Sequence, residues 1–169
     1  YARSNLASSV IFSAGMNPRL YGYISNFYDF FPLQNGYIKK KIILKVSDFR
    51  SAVIQGKFLA KKGLWVSEYR IESGLNCGGH AFATDGYLMG PILAEFRDKR
   101  QELIDEIYSV CKSALQTSGK VVPDNQLSVK ITAQGGVATS EEHNFLIDHY
   151  NLDVVGWGTP FLLVPEATT

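Results

Sequence analysis

The sequence predicts an α/β fold of the (β/α)8 TIM-barrel type, of which these 169 residues form about five C-terminal strands. Three observations predict this fold. Short apolar runs typical of buried strands alternate with segments of helical periodicity, as they do in parallel sheets. Glycine-rich segments follow the last two predicted strands, where barrels frequently build a phosphate site. A further glycine pair, Gly78 and Gly79, follows an earlier strand.

The first half of the chain contains three predicted strands, at residues 9–15, 41–46 and 64–71. The segment 17–36 between the first two is rich in Tyr, Phe, Gly and Pro, which predicts a long loop with about one helical turn. After the second strand, Ser47 and Asp48 have helix N-cap chemistry, and apolar residues follow at helical spacing. The three lysines at 39–41 precede an apolar strand, and we interpret them as its solvated beginning.

The second half contains two helices and two strands. Pro91 fits the first turn of one long helix that ends at Gly119. A strand at 127–134 precedes a short helix at 140–150, whose first turn carries Glu141 and Glu142 at the positive end of the helix dipole. The last strand is predicted at 153–156.

This order gives five strands and four crossovers, which an open doubly wound sheet also fits. The positions of the glycines favour the barrel, since they follow strands whose loops form phosphate sites in that fold. A complete barrel needs about 200–250 residues or more. We therefore expect residues 1–169 to be a single domain that holds strands 4–8, with the rest of the barrel on the same or on another chain.

Composition excludes several classes of protein. The chain is 46% hydrophobic and 20% charged, which is typical of a folded globular domain, and its net charge of +1 does not indicate a nucleic-acid partner. No apolar run approaches the roughly 18–20 residues needed to cross a bilayer. The two cysteines, Cys77 and Cys111, stand in dissimilar contexts and form no C-x-x-C pair, so we expect no disulfide, no zinc site and a cytoplasmic location.

Two glycine loops at successive strand ends predict a phosphate site. Gly135 and Gly136 follow the fourth predicted strand, and the segment Gly156-Trp157-Gly158-Thr159 ends the fifth. Glycine lets backbone N–H groups approach phosphate oxygens closely. A helix that begins after the second loop would also direct its positive end towards the anion.

A second motif, Gly78-Gly79-His80, follows the third predicted strand. Paired glycines allow the backbone to lie beside a planar ligand, and an imidazole with an ordinary pKa near ~6.5 can donate or accept a proton at neutral pH. A structural histidine fits this pattern as well. Glu72 and Asp85 flank the loop, and either could orient the imidazole or lie on the surface.

Other residues carry less specific signals. His143 and His149 do not share a face of their predicted helix, so we expect them to be exposed to solvent and not to bind a metal. The aromatic residues of the segment 17–36 predict a packed loop or a contact between subunits, with a substrate lid as the alternative. Cys77 is interpreted as a packed residue, with a redox role as the alternative.

The order of the motifs resembles the nitronate monooxygenase (2-nitropropane dioxygenase-like) family, which includes FMN-dependent enoyl-acyl-carrier-protein reductases. The resemblance covers roughly residues 40–166. Its motifs here are Lys45-Val46-Ser47, Gly78-Gly79-His80, Ala133-Gln134-Gly135-Gly136-Val137, and Gly158-Thr159-Pro160-Phe161-Leu162 followed by Pro165-Glu166. The family pattern has a Glu-Ala directly before Gly-Gly-His and lacks a residue corresponding to Gln134, so the loop at 74–86 is altered and the family's substrate does not carry over.

This resemblance implies an FMN-dependent oxidoreductase that acts on a small-molecule substrate. It implies that Lys45 lies near the pyrimidine side of the flavin, that Gly78 and Gly79 pass beside the ring, and that His80 transfers a proton. The residues implied at the FMN phosphate are Gly135, Gly136, Gly158 and Thr159.

Two alternatives remain open at the level of the sequence. One is a flavin-free, phosphate-binding barrel lyase or isomerase, which would use the same glycine loops. The other is a non-catalytic barrel fragment with a role in assembly. Neither the electron donor nor the oligomeric state follows from the residues.

Overall fold

The computed structural model describes residues 1–72, 89–135 and 137–157. The elements follow in this order: strand β1 (Ser8–Phe12), helix α1 (Pro18–Ile24), a 3₁₀ turn (Tyr28–Phe30), strand β2 (Lys40–Val46), helix α2 (Phe49–Ala60), strand β3 (Val66–Glu72), helices α3 (Met89–Asp98) and α4 (Arg100–Thr117), strand β4 (Lys130–Gln134), helix α5 (Ser140–Tyr150) and strand β5 (Val154–Gly156). The predicted alternation of strands and helices is confirmed.

The described strands form one five-stranded sheet, in the order β1-β2-β3-β4-β5, and every neighbouring pair is parallel. A doubly wound sheet reverses its strand order at a switch point, and this sheet does not. Sequential parallel strands joined by right-handed crossovers carry their helices on one face. The described sheet is therefore consistent with an arc of an α/β barrel.

The helix-facing side of the sheet forms the core. Alternate residues of the strands, such as Leu44, Tyr69 and Ile131, are buried in one apolar cluster together with residues of α2 and α4. Helix α2 begins at Asp48, whose side chain accepts a hydrogen bond of 2.7 Å from the Ser51 amide. These contacts fix the helices against one side of the sheet. The strand residues between the core positions point to the other side.

The opposite side of the sheet carries charged and polar side chains on the central strands β2 to β4, beside the apolar Ile43. Successive side chains of a strand point to opposite faces, so the residues between the core positions share this second face. The register pairs Lys45 with Arg70 and Arg70 with Thr132 across three strands. We call this surface the polar face and define it by Lys45, Glu68, Arg70, Glu72, Thr132 and Gln134.

The prediction of three solvated lysines is wrong for Lys40, which is fully buried. Its Nζ donates hydrogen bonds to the carbonyl oxygens of Ser4 (2.8 Å) and Leu6 (3.0 Å) and lies 4.6 Å from the centre of the Tyr1 ring. Burial of an ammonium is tolerated when its donors find acceptors. Lys40 therefore anchors the segment before β1 to the sheet.

Two segments differ from the predicted pattern of helices. The segment predicted as a long loop contains α1 and a 3₁₀ turn, because Asn17 caps the helix by accepting a 3.0 Å hydrogen bond from the Leu20 amide and Pro18 occupies its first turn. Tyr21, which belongs to α1, packs into the core, so the packed-segment interpretation is confirmed for this residue. The predicted single helix after Pro91 is divided into α3 and α4 at Lys99, whose φ of −107° and ψ of 13° are not helical.

Two further observations concern the environment of the chain. Cys111 is buried in α4, and burial raises the pKa of its thiol to about 12, so the thiol stays protonated and unreactive. Within the part of the chain that the structure describes, no helix combines the length and the apolarity that crossing a membrane requires.

Candidate functional site

The carboxyl ends of β4 and β5 lie side by side at one edge of the sheet. Gly135 directly follows β4, and its amide donates a 3.1 Å hydrogen bond to the carbonyl oxygen of Gly156, the last residue of β5. The φ of Gly135 is +89°, a conformation that favours glycine. The two glycine segments predicted as one site therefore begin next to each other.

The amides near this edge are partly engaged already. Gly135 uses its N–H within the sheet, so it has no donor left for a ligand in this conformation. At the start of α5, the Glu142 carboxylate accepts hydrogen bonds from the amides of Ala138 (2.8 Å) and Thr139 (3.1 Å). Thr139 Oγ1 in turn accepts a hydrogen bond from the Glu142 amide, which completes a capping box. The first turn of α5 is thus capped by the chain itself.

Lys45 lies at the carboxyl end of β2, on the polar face, and is paired with Glu72. Its Nζ is 2.8 Å from Glu72 Oε2, as a charge contact whose angles are not those of a hydrogen bond. The Glu72 side chain is only 4% exposed, so the surface position considered for it is wrong. A carboxylate buried this deeply requires a cation nearby, and Lys45 fills that need.

A second charged group on the polar face was not predicted from the sequence. Glu68 Oε1 accepts three hydrogen bonds, from Arg70 Nε (2.9 Å), Arg70 Nη2 (2.8 Å) and Thr132 Oγ1 (2.8 Å). The signal was present, because β3 places a charged residue at every second position, at Glu68, Arg70 and Glu72. A strand buried on both sides is normally apolar throughout, so this alternation indicates a polar face.

The end of β5 is connected to α5 through an aromatic pair. Trp157 Nε1 donates a 2.9 Å hydrogen bond to His143 Nδ1. The two ring centres lie 5.9 Å apart, so the indole and the imidazole also pack against each other. His143 is half-buried, contrary to its predicted exposure, whereas His149 is exposed as predicted and stacks on Phe145 with 4.9 Å between ring centres.

The structure describes two of the site residues predicted from the sequence. Lys45 and Gly135 both lie at carboxyl ends of strands, on β2 and after β4, with β3 between those strands. The others lie outside the described residues: Gly78, Gly79, His80, Gly136, Gly158 and Thr159. Their roles stay predictions.

Comparison of the chain with protein-family models, with curated proteins and with solved structures found no match. The resemblance to the nitronate monooxygenase family therefore depends on the sequence motifs alone.

Proposed function

We propose that this chain is part of a barrel-type, FMN-dependent oxidoreductase that acts on a small molecule in the cytoplasm, where thiols such as Cys111 stay reduced. The observation that carries the proposal is the pairing of β4 with β5, which brings the ends at Gly135 and Gly156 together. Consecutive strand ends of this kind form the phosphate site in many barrels.

The described residues fit such a cofactor at the carboxyl edge. Gly135 keeps the backbone beside the β4 end free of a side chain, and Lys45 places a positive charge on the polar face near the carboxyl end of β2. Because the Gly135 amide is engaged in the sheet and the Glu142 amide in the capping box of α5, the donors to the phosphate would be the amides of Gly136, Gly158 and Thr159. When bound, FMN supplies the electron transfer, and this chain supplies binding and orientation.

The chain's own residues have distinct proposed roles. Lys45, held by Glu72, would keep a positive charge beside the pyrimidine edge of the flavin ring. A cation in that position would stabilise negative charge on the ring. His80 would hold or release a proton at an imidazole nitrogen, and Gly78 and Gly79 would let that loop pass close to the ring.

The cofactor assignment is tested by an absorption spectrum of the purified protein from ~300 to ~500 nm, followed by titration with FMN. Gly136→Val should abolish flavin binding, because its side chain would occupy the phosphate's space. Gly15→Val is the matched control, since a Cβ at Gly15 meets no atom within 4 Å and β1 lies at the opposite end of the sheet from β5.

Retention of stoichiometric FMN by a folded Gly136→Val variant would contradict the phosphate assignment. A protein that binds no flavin but binds a sugar phosphate tightly would instead support a phosphate-binding lyase or isomerase.

The proposed role of His80 has a separate test. His80→Ala should lower turnover by roughly 10²–10⁴-fold, as expected for loss of a general acid or base, while flavin stays bound. The measurement requires a substrate, which a screen of nitronates and of enoyl thioesters with NAD(P)H would identify. A variant that keeps most of its activity but loses thermal stability would make His80 a structural residue.

A further inference from the structure

Glu68, Arg70 and Thr132 form a fixed unit on the polar face. Both hydrogen bonds from Arg70 end on one oxygen, Glu68 Oε1, which Thr132 Oγ1 also contacts. The two contacts from Arg70 hold the plane of its guanidinium group, and the contact from Thr132 holds the Glu68 oxygen that accepts them. Thr132 is buried and lies directly across from Arg70 in the sheet register, so the unit is held by the sheet.

The guanidinium group keeps donors beyond those that Glu68 uses. A guanidinium has five N–H donors, and Glu68 engages one at Nε and one at Nη2. Nη1 makes no hydrogen bond to residues 1–72, 89–135 or 137–157 of the chain. The Arg70 side chain is 24% exposed, so part of it is open to solvent.

The surrounding charges limit what such a ligand can be. Lys45 is the register partner of Arg70, so two cations stand side by side on adjacent strands. Two carboxylates, Glu68 and Glu72, flank Arg70 on its own strand, and the four charges sum to zero. The two carboxylates would repel a doubly charged phosphate more strongly than a monoanion, and a planar carboxylate matches the guanidinium edge in shape and charge.

We propose that Arg70 binds a small carboxylate, or a planar monoanionic group of the same shape, through its Nη edge above the polar face. Glu68 and Thr132 act as positioning residues that hold the guanidinium, and Lys45 adds a second positive charge. In the proposed oxidoreductase this carboxylate would belong to the substrate, and that assignment rests on the proposed function. The binding site itself does not depend on FMN.

Titration with sodium acetate at constant ionic strength, balanced with sodium chloride, tests the proposal. The readout is the side-chain Nε–H signal of Arg70 in protein with ¹⁵N-labelled arginine, identified by its absence in Arg70→Lys. Acetate should shift this signal in a saturable way, and chloride should not. Arg70→Lys should raise the acetate Kd, measured by calorimetry, at least about tenfold, because lysine keeps the charge but loses the two-donor edge.

Arg50→Lys is the matched control, since Arg50 is exposed on α2, and it should leave the acetate Kd unchanged. Thr132→Val should move the Arg70 signal before any acetate is added and weaken binding less than Arg70→Lys does.

An Arg70 signal that acetate does not shift, or that inorganic phosphate shifts at lower concentration than acetate, would overturn the proposal. If Arg70→Lys fails to fold, titrations of the unsubstituted protein with acetate, chloride and phosphate still test the proposal. The Arg70 signal is then identified by its displacement in Glu68→Gln, because Glu68 accepts the hydrogen bond of Arg70 Nε. The titrations are made without added FMN. A protein that binds acetate at Arg70 but does not bind FMN would therefore count against the proposed function and not against this site.

Discussion

The two faces of the sheet are built from the same strands with opposite chemistry. Leu44 and Tyr69 point to the helices and are buried among apolar side chains, whereas their chain neighbours Lys45 and Arg70 point to the polar face. The helix-facing side obeys the usual rule that burial of apolar surface stabilises a fold. The polar face is largely shielded from solvent too, yet it holds charges.

The charges on the polar face indicate where a ligand would bind. Barrel interiors are usually filled by branched apolar residues. A buried ion pair is weak support for stability, because desolvation of both charges offsets their attraction, and apolar residues of similar volume often serve as well. The pairs Lys45–Glu72 and Arg70–Glu68 are therefore poorly explained by stability alone. Their position near the carboxyl ends of strands is where ligands bind in α/β folds.

The largest effect on stability is expected from truncation on the helix-facing side. Leu44→Ala should lower the free energy of unfolding by about 2–5 kcal/mol, because Leu44 is fully buried and its loss leaves a cavity. Ile11→Ala is the matched control on the other side of the neighbouring strand. Ile11 is 49% exposed, so we expect a loss below about 1 kcal/mol. Urea denaturation measures both, and equal losses would mean that the second face is packed as tightly as the first.

An intermediate effect is expected where the helix layer touches β3. A Cβ on Gly56, in α2, would overlap the buried Tyr69 hydroxyl and lie 3.0 Å from Ile107. Gly56→Ala should therefore destabilise the protein by about 1–3 kcal/mol, although alanine favours a helix over glycine.

Tyr69→Phe removes the hydroxyl and makes room, and the hydroxyl has no hydrogen-bond partner in the described part of the chain. The double variant should therefore be more stable than Gly56→Ala alone. Thermal denaturation of the four proteins completes the cycle. Additive effects in this cycle would show that the hydroxyl is not the obstacle.

Most of the fold was accessible from local sequence signals. The strands at Lys40–Val46 and Val66–Glu72, the cap at Asp48 and the helix at Ser140–Tyr150 follow from apolar periodicity and capping chemistry, which act within a few residues. The buried position of Lys40 could not be predicted in this way. Its acceptors lie 36 and 34 residues away along the chain, and only the tertiary fold brings them together.

The candidate site was predictable only in part for the same reason. Glycines at strand ends are visible in the sequence, and Gly135 lies where that pattern places it. The hydrogen bond from its amide to Gly156 depends on the pairing of two strands. The sequence alone therefore could not show that this amide is unavailable to a ligand. The contact between Thr132 and Glu68 spans 64 residues and likewise required the sheet.

The smallest expected effect lies at Asp48, where the chain passes from β2 to the helix layer. Burial raises the pKa of this carboxyl, but hydrogen bonds from the Ser51 amide and from the hydroxyls of Ser47 and Ser51, with the charge of Arg50, outweigh it and hold the pKa below its ordinary value. A carboxyl whose pKa is lowered by folding stabilises the folded state at pH values above its unfolded pKa. This contribution is lost as the pH falls through the folded pKa.

Asp48→Ala should therefore cost about 1 kcal/mol at neutral pH, within the usual range for an N-cap, and less as the pH falls from roughly 4, the unfolded pKa, towards the lower folded pKa. Asp48→Asn is the control, because asparagine caps about as well but does not titrate. It should be close to the unsubstituted protein at neutral pH and should lack this component of the pH dependence. Urea denaturation between roughly pH 3 and 7 measures all three proteins. If Asp48→Ala lowered the free energy of unfolding equally at both ends of this pH range, the cap would act through its hydrogen bonds alone. The charge of Asp48 would then add nothing to the stability of the connection between β2 and α2.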